Sequence, residues 1–245
     1  MEVHQHTYTE RKKWTHYFWE FFMLFLAVTA GFLVENQREH YIEHKREKTF
    51  IRSIAQDLKQ DIFHLDSIVM ERKKLDKWMD SLLYLVNYTD PRKHGNNIYY
   101  YTRRIPRTFR FYTVDRTISQ LKNAGNWRLI RKYKVSEALL TYDNLVRTLT
   151  VYIEEREESL VLILYESINK LFESRVFESM LSGLSFTRPT NNPQLLSYDK
   201  NTLNEFCNRV HFRKNANYYF IQVAGLLLNE AKETLEVLDK EYHLE

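Results

Sequence analysis

Cysteine, glycine and proline are all scarce in this chain. One cysteine, Cys207, in 245 residues excludes an intramolecular disulfide framework and a four-cysteine zinc site. Nothing beside it in the sequence would stabilise a thiolate, so it reads as a buried small apolar residue. Five glycines and four prolines make 9 of 245 residues, about a third of ordinary usage. A β-sandwich or barrel needs turn residues roughly every 8 to 12 positions, so this scarcity predicts long helices joined by few connectors. Enzyme signatures are missing as well: there is no Gly-rich phosphate loop, no G-x-S-x-G and no H-E-x-x-H. The sequence therefore assigns no catalytic residue, no metal site and no cofactor. A 44% share of hydrophobic residues is ample for a buried core and excludes a disordered chain.

The net charge of +4 is unevenly spread. Residues 91–134 hold twelve basic residues against one acid, Asp115, a local +11; the rest carries 24 basic and 31 acidic residues, a net of −7. Such asymmetry speaks of fields and partners rather than of fold.

Residues 21–34, FFMLFLAVTAGFLV, contain no charge and Thr29 as the sole polar residue. Taken back through Trp19, Phe18 and Tyr17 to Trp14, the stretch reaches 21 residues, about 31 Å at 1.5 Å per residue, which matches the hydrocarbon thickness of a bilayer. Glu20 falls near one end among aromatic residues, at interfacial depth where a carboxylate is tolerated. A transmembrane helix is expected over residues 14–34, after a short basic tail at 1–13 that includes Arg11, Lys12 and Lys13. No A-x-A cleavage signal follows the span, which argues against a removed signal peptide. A short basic tail before a long domain predicts a signal anchor, with the domain outside the cytoplasm. Ala27 and Gly31 form a small-xxx-small pair that permits close helix approach, and Glu20 can pair with a neighbouring chain; these three are the candidate membrane or oligomer contacts.

Residues 35–49 are too polar to face a core and read as a charged helical stalk. From residue 50 apolar residues recur at three- and four-residue steps (Phe50, Ile54, Leu58, Ile62, Leu65, Val69, Leu75, Met79, Leu82 and Val86), one stripe of a long helix. Pro91 and Gly95 lie in the segment 87–97 that ends it. Residues 98–114 read as an irregular or extended connector around Pro106, followed by a short helix that stops at Gly125. A second stripe runs from Val135 to Phe172. After a loop at 183–201, a short helix near 203–210 and a last helix at about 215–242 complete the chain. The expectation is all-α: a transmembrane helix continuing into an elongated soluble bundle of three long helices, residues 50–245, with short connector helices.

Three groups of residues could carry chemistry. His40 and His44 lie one turn apart on the stalk, but a zinc site needs a third ligand, and none is evident. Asp57 and Asp61, also one turn apart, suit salt bridges better than acid-base work. The strongest group is the basic, aromatic connector, where Arg103, Arg104, Arg107 and Arg110 interleave with Tyr100 and Phe109. Guanidinium forks suit phosphate or carboxylate, and rings offer platforms. A helix continuous from 35 to 86 spans roughly 75 Å, which would set this connector at a membrane-distal tip. The same arginines could instead neutralise the acidic helices.

Two stretches, EFFMLFLAVTAGFLVENQREHYIEHKREKTFIRSIAQDLKQD (residues 20–61) and TFRFYTVDRTISQLKNAGNWRLIRKYKVSEALLTYDN (residues 108–144), resemble a group of uncharacterised single-span membrane proteins of Bacteroidota-type bacteria. Shared features are the membrane-entry Glu20, the Glu35-Asn36 exit pair and the D-L-x-x-D element at Asp57, Leu58 and Asp61. The resemblance covers about a third of the chain and implies an inner-membrane protein with a helical soluble domain; it implies no activity. The expected function is that of a non-enzymatic structural or interaction protein, bound to the lipid bilayer and homo-oligomeric through the span and bundle. Its basic tip would meet an acidic protein or another polyanion, and a periplasmic domain would meet no nucleic acid. The alternative is a membrane-linked sensor or ligand-binding bundle that signals through its span.

Overall fold

The computed structural model describes residues 14–183 and 185–244, with the backbone alone at Tyr152 and Glu154. The basic tail at 1–13 lies outside the described residues. The fold is all-α, and among the described residues its one sheet is a two-stranded hairpin. The chain divides into two compact units, Met1–Phe50 and Ile51–Glu245.

In the first unit, the described residues belong to α1 (Trp14–Tyr88). This helix is long and apolar enough near its N-terminus to cross a membrane. Trp14, Phe21, Leu24, Phe32 and Val34 are all largely uncovered by protein. The Thr29 hydroxyl donates to the Phe25 carbonyl at 2.8 Å, so the polar side chain is satisfied within its own helix.

In the second unit, α1 buries Ile51, Ile54, Leu58, Leu65, Leu75, Met79 and Leu82, all but inaccessible to solvent. Asp90 and Pro91 then turn the chain, and α2 (Gly95–Thr102) follows. The extended connector expected from residue 98 thus begins as helix: Ile98, Tyr99 and Thr102 share a buried face of α2, and helical spacing satisfies them better than a strand would. Gly95 is required here, because a side chain would collide with the Pro193 carbonyl. Residues 103–115 are largely without regular structure, α3 (Arg116–Asn123) follows, and Gly125 at φ +64° turns the chain beyond it.

The second stripe forms α4 (Tyr133–Arg147), a π-helical turn (Thr148–Ile153) and α5 (Glu154–Leu171). A short α6 (Ser174–Ser179) leads to the hairpin of β1 (Leu181–Ser182) and β2 (Ser185–Phe186). One helix, α7 (Lys200–Tyr242), replaces the two expected C-terminal helices. Residues 211–214 contain neither glycine nor proline, and Asp199 caps the start by accepting from the Thr202 amide at 2.9 Å. Both α4 and α5 pack along α7. One core cluster gathers Leu75 and Met79 of α1, Tyr99 of α2, Leu164 and Leu171 of α5, and Phe206 and Val210 of α7. Cys207 belongs to it, and burial pushes its thiol up to about 11.

Candidate functional site

The basic connector is a strap that runs back along α1, held by polar groups at successive heights. At one end lie Asp57 and Asp61, which are 3% and 1% exposed. Asp57 accepts from Arg116 Nε at 2.9 Å and from the Thr117 hydroxyl. Asp61 accepts from the Thr113 hydroxyl (2.7 Å), the Val114 amide (2.8 Å) and the Tyr142 hydroxyl (2.5 Å). Burial and the adjacent carboxylate hold the Tyr142 phenol well above its usual range. The D-L-x-x-D element therefore docks the strap to the core.

Midway along the strap sits a fully buried ion cluster. Arg72 of α1 and Arg213 of α7 are both 0% exposed, and both donate to Glu157 of α5, itself 1% exposed. Arg72 also donates through Nε to the Phe109 carbonyl at 3.0 Å, and Arg213 donates to the Arg107 carbonyl at 3.2 Å. Asn217 donates to the Arg72 carbonyl at 3.0 Å, and the Arg72 guanidinium lies 3.8 Å from the Phe220 ring centre. Burial pulls the Arg213 guanidinium down to about 10, against the opposing pull of Glu157. Sequence reasoning missed this cluster, yet a signal existed. The α1 stripe skips from Val69 to Leu75 and the second stripe from Ile153 to Leu160; Arg72 and Glu157 occupy the skipped turns.

Beyond the end of α2 the arginines take a different form. Arg104 stacks on Tyr100 at 3.5 Å and lies 5.4 Å from the Trp78 ring. Arg103, Arg104 and Arg107 approach the Phe186 ring at 4.9, 5.9 and 4.8 Å. Arg188, just past the hairpin, lies 4.4 Å from Tyr100 and donates to Asn97 at 2.7 Å. Sequence reasoning overlooked it because it is more than eighty positions from Arg104. Arg104 donates to the carbonyls of Tyr100 (3.4 Å) and Phe186 (3.1 Å). Burial lowers its pKa, and the like charges of Arg107 and Arg188 add to the effect. Among the described residues, none of these four arginines forms an ion pair. Arg103 Nε is buried with no hydrogen-bond partner.

The remaining expected residues divide. Arg110 pairs with Glu158 at 2.9 Å, so it belongs to the strap's docking rather than to the arginine cluster. Lys122 and Lys132 pair likewise, with Asp143 and Glu241. Tyr100 and Phe109 pack against the core. Glu20 lies 3.5 Å from His16 one turn earlier. Ala27 and Gly31 share an uncovered face of α1, and a side chain at Gly31 would meet nothing. His44 faces Glu47 at 3.2 Å. Among the described residues, no group of three or more His, Cys, Asp or Glu is arranged to hold a metal ion.

No protein-family model, curated protein or solved structure matches this chain.

Proposed function

We propose that the protein is a non-enzymatic, membrane-anchored interaction protein. It is oligomeric and held in an inner membrane by α1. Its bundle of helices faces the periplasm, and an acidic protein or similar polyanion binds at Arg103, Arg104, Arg107 and Arg188. One observation carries this reading: four guanidinium groups gather on aromatic rings and, among the described residues, none of them pairs with a carboxylate. Like charges held together without counter-ions cost stability. Arg104 and Arg188 spend N–H groups on the Tyr100 and Phe186 carbonyls and on Asn97, and the N–H groups that remain, above all those of Arg103 and Arg107, are suited to bind an oxyanion. Arginines that merely offset the protein's own acids would sit on carboxylates, as Arg110 and Arg116 do. The likeness of residues 20–61 and 108–144 to single-span proteins of Bacteroidota-type bacteria supports the placement.

The test is fluorescence anisotropy of a labelled polyglutamate peptide on the full chain in detergent micelles, at graded salt. Arg103→Gln with Arg107→Gln should weaken binding at least tenfold at low salt without lowering the melting temperature. Arg110→Gln, whose parent residue is already paired, should retain binding. A parent protein that fails to bind, or a double variant that binds equally well, would defeat the reading.

A further inference from the structure

Between α5 and α7 lies a half-open cleft of about 600 Å³, within the range of small-molecule sites. On the α7 side Phe212, Asn215, Ala216 and Tyr219 share one helical face; Arg156 and Leu160 of α5 and the π-turn Thr148–Ile153 stand opposite. Three observations set this cleft apart from ordinary surface. The wall is a π-helical turn, a rare distortion that recurs at functional sites; the Thr148 and Thr150 hydroxyls donate to the Asn144 and Val146 carbonyls beside it, both at 2.9 Å. Phe212 and Tyr219 are each 57% exposed, one turn to either side of the small Ala216, so two aromatic walls flank an open floor. Arg156, at the edge, forms no ion pair or hydrogen bond among the described residues.

We infer that this cleft binds a linear anionic amphiphile: an acyl chain ending in a single carboxylate. From Phe212 to Tyr219 the apolar positions on α7 span about 10 Å of helix axis, which suits an extended chain lying over Ala216 between the two rings. One guanidinium with one amide, Arg156 and Asn215, matches a monoanionic head. The site shares no residue with the arginine cluster and does not depend on it.

The experiment uses the full chain in lipid nanodiscs with decanoate labelled with carbon-13 at its carboxyl, observed by NMR. A protein-dependent carboxyl resonance, distinct from that of decanoate in empty nanodiscs, is expected. Arg156→Gln removes the head contact and Ala216→Phe fills the floor; each should weaken binding at least tenfold. Decanol should compete at least tenfold more weakly than unlabelled decanoate. The inference fails if no protein-dependent resonance appears, if both variants bind like the parent, or if decanol competes equally. It also fails if Ala216→Phe leaves binding intact but dissociates an oligomer, since the cleft would then be an interface between copies.

Discussion

Glu157 stands between two arginines that have no access to water. Removing one member of such a cluster leaves an uncompensated buried charge, at a cost of about 3–5 kcal/mol. Glu157→Gln should therefore lower the unfolding free energy by that amount, seen as an earlier midpoint in urea at an unchanged slope. Asp76, four residues beyond Arg72, carries a milder tension: its Oδ1 is buried without a partner, and burial holds its pKa above the ordinary carboxylate value. The folded chain thus keeps this proton more tightly than the unfolded chain. Stability falls as pH rises from the ordinary value to the raised one, and the deficit persists above it. Asp76→Asn should be more stable than the parent at neutral pH, and urea melts should show the advantage vanishing as pH falls below the carboxylate range.

The strap is the element on which the candidate site depends, and Asp61 is its most heavily used anchor. Asp61→Ala would leave the Tyr142 and Thr113 hydroxyls and the Val114 amide without their acceptor. At about 1–3 kcal/mol for each buried unsatisfied donor, and with the Thr113 and Val114 donors only part-buried, a loss of at least about 3 kcal/mol is expected. Limited trypsin digestion should also cleave faster after Arg110 and Arg116, with mass spectrometry locating the cuts. Elements of this kind were only partly legible in the sequence. Apolar periodicity marks α1, the α4–α5 run and most of α7, because burial of one face governs both spacing and structure. It divided α7 wrongly at 211–214, where Arg213 is polar and yet fully buried. Periodicity equates polar with exposed, and a buried ion cluster breaks that equation. Arg103, Arg104 and Arg107 could be named from composition, whereas their distinction from Arg110 rests on Glu158, a tertiary neighbour.

At the scale of the whole molecule, the sharply divided charge resolves into two populations. Arg110, Arg116, Lys122 and Lys132 meet the protein's own acids, while among the described residues Arg103, Arg104, Arg107 and Arg188 do not. The side of the membrane they face is testable by thiol labelling in intact cells. Cys207 is buried and unsuited to it; Ser182→Cys, on the exposed hairpin, supplies an accessible thiol. Membrane-impermeant maleimide should label Ser182→Cys without cell lysis. Labelling only after lysis would place the domain in the cytoplasm and remove the periplasmic partner. Wherever it faces, the strap is gripped by its main chain: Arg72 and Arg213 bind the carbonyl oxygens of Phe109 and Arg107. A carbonyl is the same at every residue, so this grip is blind to what the side chain is. Two core arginines set the route of the strap, and the outward-facing position at Arg107 is free to vary without rerouting it. A lineage could thus change what its surface presents while inheriting the scaffold unaltered.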